Sequence, residues 1–131
     1  MKSCCVTGPG RIPKNKIEYV RQELDRETSQ AIEDGFTSFF SSMENGTDLE
    51  FAAIVAEKKK ENTGLLLEAV IPYADRMKSE DKQYRGLIRQ CSSIKVISQE
   101  RDRDCYFATN RYLTENSKRV IVVSDGKPKS K

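Results

Sequence analysis

The chain has 131 residues, 37% hydrophobic and 33% charged, a composition that fits one folded domain rather than two domains or a disordered segment. Lysine and arginine number 23 against 20 aspartates and glutamates, and Lys127, Lys129 and Lys131 supply the whole excess. The body is therefore neutral, which argues against a nucleic-acid binder. No apolar run approaches a membrane span and no signal-peptide core fits before Gly8, so neither a membrane partner nor export is expected.

The hydrophobic pattern alternates between short apolar runs and helical periods. Ser3 to Thr7 reads as a strand, and Gly8-Pro9-Gly10 with Pro13 marks the loop behind it. From about Asn15 to Asp34, Ile17, Val20, Leu24, Ala31 and Ile32 recur at helical spacing with Thr28 between them, and Gly35 is a natural stop. Phe36 to Ser41 is an aromatic-rich strand. Thr47-Asp48-Leu49-Glu50 fits a capping box, with Thr47 as cap and Glu50 reaching back. The helix it opens ends in Lys58-Lys59-Lys60, which suits the negative end of its dipole.

Leu65 to Ile71 is apolar except for Glu68 and stops at Pro72, as a strand covered on both faces would. A polar stretch from Tyr73 to Asp81 leads to a helix running to about Cys91. Ile94 to Ile97 is a fourth strand, Asp104 to Asn116 a helix, and Val120 to Val123 a fifth strand. This strict alternation predicts a three-layer α/β sandwich, with a parallel five-stranded sheet between helices. Residues 1–126 form a single domain, and residues 127–131 are expected as a flexible basic tail.

Four cysteines without Cys-x-x-Cys spacing and the absence of histidine exclude His-based triads and weigh against a zinc site. They point to a reducing, cytoplasmic compartment. No metal or cofactor is expected. In such sheets ligands bind beyond the carboxyl ends of the strands. The loop after the first strand offers Thr7, Gly8 and Arg11, in which glycines and an arginine could meet a phosphate, although Gly8-Pro9-Gly10 is equally a plain turn. The helix start at Gly46-Thr47-Asp48 attracts anions, yet Glu44, Asp48 and Glu50 crowd it, so Asp48 suits a ribose hydroxyl or a base better than a phosphate. Asn110 and Arg111 could point into the cleft, or Arg111 could pair with Glu115 on its own helix.

Taken in order, Cys5-Val6-Thr7-Gly8, Gly46-Thr47-Asp48-Leu49, Val70-Ile71-Pro72-Tyr73, Cys105 with Asn110-Arg111, and Val122 to Gly126 resemble the YpsA-like family of the SLOG superfamily. These Rossmann-like proteins are related to the DNA-processing protein DprA and to the LOG phosphoribohydrolases. The resemblance implies strand order 3-2-1-4-5 and a nucleotide or nucleotide-derived ligand held by Thr7, Gly8, Arg11, Gly46, Thr47, Asp48, Asn110, Arg111, Asp125 and Gly126. The chain departs from the family pattern in three places. Gly8-Pro9-Gly10 replaces Gly-His-Arg, Ser42 stands where a glycine is usual, and the Gly-Gly-Thr turn and last helix after Gly126 are missing. The Pro-Gly-Gly-x-Gly-Thr-x-x-Glu signature of the LOG hydrolases is also absent, so that activity is not implied. In the implied order, one side of Ile94 to Ile97 and of Val120 to Val123 would lie bare, which predicts a homodimer or another partner over it.

Three functions follow from these residues. The first is a nucleotide-binding sensor or regulatory module. The second is a nucleotide or N-glycosidic hydrolase using Asp48, Glu44 or Asp125 as its base. The third is an interaction protein with a vestigial cleft.

Overall fold

The structure, a computed structural model, describes residues 2–124 and 127–130. Five parallel strands carry the fold: β1 (Ser3–Thr7), β2 (Ser38–Ser41), β3 (Leu66–Tyr73), β4 (Ser93–Ser98) and β5 (Arg119–Ser124). The helices between them are α1 (Ile17–Glu33), α2 (Thr47–Glu61), α3 (Lys82–Ile88) and α4 (Cys105–Glu115). The α/β architecture read from the alternation, Rossmann-like as the resemblance implied, is the one observed.

Local chemistry sets the helix ends. Val20, Leu24, Thr28 and Ala31 form the buried stripe of α1. Gly35 ends the helix at φ +93°, where its N–H donates to the Ile32 carbonyl (3.0 Å) and the Phe36 N–H reaches back to the Ala31 carbonyl (2.9 Å). This is a left-handed Schellman stop that glycine adopts without strain. Asp81 caps α3 by accepting the Tyr84 N–H at 2.8 Å. The proposed capping box does not form. Gly46, at φ +85°, is the cap of α2, Thr47 is its first helical residue, and Glu50 pairs with Arg21 at 2.7 Å.

The strand order is β4-β3-β2-β1-β5, not 3-2-1-4-5. The reason lies in where α3 buries its apolar residues. Tyr84 and Leu87 enter the same core as Leu24 of α1 and Phe51 and Val55 of α2, so these helices share one face. A right-handed crossover on that face lays β4 outside β3. The return to β5 must then pass the opposite face, where α4 lies over β3 and β4. The main core holds Phe39, Phe51, Leu67, Ile71 and Tyr84, all essentially inaccessible. Each contributes about 1.5–3 kcal/mol through burial of its apolar surface. Glu68 interrupts the apolar run of β3 on the α4 side, where the Ser38 and Ser93 hydroxyls donate to its carboxylate.

This order also changes the exposed surface. The strips on β4 and β5 that would have lain side by side are separated by three strands. Ile94 at the β4 edge is 43% exposed, while Val120 and Val122 are half-buried. The expected tail is not free along its length: Lys127–Ser130 forms β6, antiparallel to β5 and close to α1. Among the described residues no helix is long and apolar enough to cross a membrane.

Candidate functional site

The loops after β1 and β2 interlock before they make a site. The Pro9 carbonyl accepts both the Thr47 N–H (3.2 Å) and the Thr47 hydroxyl (2.9 Å). A Cβ on Gly8 would stand 2.6 Å from Thr47 Oγ1 and 2.8 Å from Val123 Cβ, and one on Gly46 would stand 2.5 Å from the Gly10 carbonyl carbon. Gly46 lets two backbones touch and Gly8 makes room for the Thr47 and Val123 side chains, which is a different use from cradling a phosphate. The start of α2 is closed in the same way. The Leu49 N–H donates to the Glu44 carbonyl (3.1 Å) and the Glu50 N–H donates to the Gly46 carbonyl (3.0 Å). The donors that make a helix N-terminus attractive to anions are thus taken by the protein itself.

Above this interlock, a cleft of about 370 Å³ opens beyond the carboxyl ends of β1, β2 and β3, against α4. Gly8 and Gly10 border it on one side and Pro72 at the end of β3 on another. Ser42, Glu44, Asn45 and Asp48 come from the β2 loop and the first turn of α2; Tyr106, Thr109 and Asn110 come from α4.

The two carboxylates are held out of their usual range. Burial pushes the Asp48 pKa up from 3.8 to about 6; the Ser42 hydroxyl and amide favour its charged form, while Glu44 adds repulsion. The amide contact from Ser42 is 3.4 Å. Glu44 is also raised by burial, opposed by Arg76 and Arg101. Its Oε1 is buried and, among the described residues, has no hydrogen-bond partner. Arg76 lies 3.9 Å from Glu44 and donates to the Met43 carbonyl at 2.6 Å, with its guanidinium 4.4 Å above the Tyr84 ring. It therefore braces Met43, a buried non-glycine residue at φ +62°, and with it the loop that carries Glu44.

On the α4 side, Tyr106 meets Tyr73 edge to face with ring centres 6.1 Å apart, and the Arg101 guanidinium lies 5.5 and 6.0 Å from the two rings. Cys105, Thr109 and Leu113 form the buried stripe of α4, and Thr109 returns its hydroxyl to the Cys105 carbonyl at 2.7 Å. Tyr106, Thr109 and Asn110 stand one turn apart on the cleft side of that helix.

Of the residues expected at the site, Gly8, Asp48 and Asn110 line the cleft, and Gly46 and Thr47 build the interlock beneath it. Thr7 ends β1 beside Val122, exposed and outside the lining; Arg11 is likewise exposed and outside. Arg111 does not reach the cleft. It is 66% exposed, pairs with Glu115 at 3.4 Å and lies over Phe107, because its position turns it away from the Tyr106–Thr109–Asn110 face. Asp125 and Gly126 lie outside the described residues.

Sequence reasoning missed Ser42, Asn45, Pro72, Tyr106, Thr109 and the bracing Arg76. The i, i+3, i+4 spacing of the three α4 residues was a usable signal; Arg76, inside a charged stretch, offered none. No group of three or more metal-ligating side chains occurs among the described residues.

The comparisons with known proteins agree with the motifs. A UPF0398 protein of Bacillus pumilus (strain SAFR-032) is 24% identical over 123 residues, a match covering 86% of this chain and 66% of that protein. The chain thus spans about two-thirds of the curated relative it matches. The model of the YpsA family, described as a SLOG family, matches residues 12–131. With that match covering nearly its whole length, the chain belongs to the YpsA family of SLOG proteins.

Proposed function

We propose that this protein binds a nucleotide or nucleotide-derived ligand in the cleft above β1, β2 and β3, as a sensor or regulatory module. Membership of a SLOG family points to a nucleotide-related role on a Rossmann-like sheet. The observation that carries the reading is Asp48. A half-buried carboxylate in a cleft at the strand ends, with no cation paired to it among the described residues, is an acceptor suited to ribose hydroxyls or a base amine. Calorimetric titration with nucleosides and nucleotides tests it. Binding by wild type that is lost in Asp48→Asn and weakened in Asn110→Ala is the expected result. Binding that survives both substitutions would move the site elsewhere.

The pair of raised carboxylates favours a second reading, hydrolysis of a phosphate or N-glycosidic bond with Asp48 as base. A carboxylate titrating near 6 is ionised at neutral pH and can take a proton from the attacking water, the leaving group drawing its proton from solvent. Product release from a bound nucleotide, abolished in Asp48→Asn, would establish this. Unchanged nucleotide after prolonged incubation would leave binding alone.

A further inference from the structure

We infer that the cleft takes its ligand through the ligand's hydrogen-bond donors, holding an uncharged sugar-and-base portion inside and leaving any phosphate outside. The inference rests on the nucleotide reading above and specifies which part of such a ligand enters.

A phosphate is held best by cations and unpaired backbone amides; among the described residues the lining supplies no cation, and its amide side chains are those of Asn45 and Asn110. The Thr47 and Leu49 amides at the start of α2 are bonded to the Pro9 and Glu44 carbonyls. Among the described residues no lysine or arginine lines the cleft. Arg76 is turned to the Met43 carbonyl and the Tyr84 ring, and Arg101 lies over the outer Tyr73 and Tyr106 rings. What the floor does offer is acceptors. Asp48 faces the cleft, and Glu44 Oε1 is buried without a partner among the described residues. A buried acceptor gains most from a ligand that brings the missing donor. Ribose hydroxyls and exocyclic amines do so, whereas phosphate oxygens bring only more acceptors and more negative charge. Tyr106 supplies a flat wall for a base. The volume, about 370 Å³, is at the small end for ligand pockets.

The test is a calorimetric series at neutral pH and low salt. It uses adenosine, guanosine, cytidine and uridine together with their 5′-mono- and diphosphates. For the preferred base, the nucleoside should bind at least as tightly as the monophosphate. The diphosphate should be weaker by about three- to tenfold, the size of unscreened repulsion between charges a few ångströms apart in a wet cleft. Glu44→Gln, checked for folding by circular dichroism, should narrow that gap. Should that variant fail to fold, wild type answers alone: added salt should tighten the diphosphate and leave the nucleoside unchanged. Affinity climbing about tenfold with each phosphate and weakening with salt would overturn the inference; if Asp48→Asn still abolished that binding, the nucleotide reading would stand without it. Silence across the whole series would overturn both.

Discussion

Replacing Asp48 by asparagine should make the protein more stable at neutral pH while removing ligand binding. Burial moves the Asp48 pKa from 3.8 to about 6 in the folded state. Between those values the folded chain binds more protons than the unfolded one, so wild-type stability falls as pH rises. The penalty is absent below about pH 4, grows to about pH 6 and is fully present above it. At about 1.4 kcal/mol for each pH unit, the displacement corresponds to about 3 kcal/mol. The side chain is only half-buried, and solvent relaxation reduces the gain expected on removing the charge to about 1–2 kcal/mol. Asparagine keeps an oxygen for the Ser42 N–H, and its new amide N–H groups sit in the cleft lining, where water can accept them. The gain should raise Tm by about 5 °C in a domain of this size. Urea denaturation followed by circular dichroism at neutral pH and near pH 4 measures it. An asparagine variant less stable than wild type at neutral pH, or an advantage of equal size at both pH values, would refute the electrostatic account. Stability gained together with binding lost is the pattern of a residue retained for function.

Three further outcomes follow from the same geometry. Gly46→Ala should cost about 2 kcal/mol or more in denaturant titration, since its φ of +85° and the 2.5 Å approach to Gly10 leave no place for a Cβ; a cost under half of that would mean the interlock yields easily. Gly86→Ala should do the reverse and stabilise by about 0.5–1 kcal/mol, because α3 gains a better helix former where nothing stands within 4 Å. Arg111→Ala should leave stability within about 0.5 kcal/mol and ligand affinity within about twofold, because its pair with Glu115 is solvent-exposed; lost binding in calorimetry would return Arg111 to the site.

Asp48 and Glu44 were legible as chemistry because they follow a strand, at the end of the sheet where ligands bind, although acidic residues at a helix start have a structural use as well. Asn110 and Gly8 were legible from the motifs they belong to. For Arg111 the spacing pointed to the pair with Glu115, which the structure shows, and the motif to the cleft; a motif names residues that are neighbours along the chain, whereas one step along a helix is a turn of about 100°. Thr47 was misread as a cap because Thr-x-x-Glu describes a local hydrogen-bond exchange. Here both partners are engaged by distant groups, the Pro9 carbonyl and Arg21.

The sequence by itself determined the elements and their alternation, since apolar periodicity, Gly35 and the strand-forming runs act over a few residues. It thereby determined a parallel sheet with its cleft at the carboxyl ends of the strands. Only the tertiary structure decided the order of those strands. The choice turns on which face α3 packs against, and Tyr84 and Leu87 would look the same in the sequence on either face. It also decided the electrical character of the cleft. Whether a helix start binds an anion depends on what already fills its amides, and the Pro9 carbonyl that fills the first comes from a loop 38 residues away.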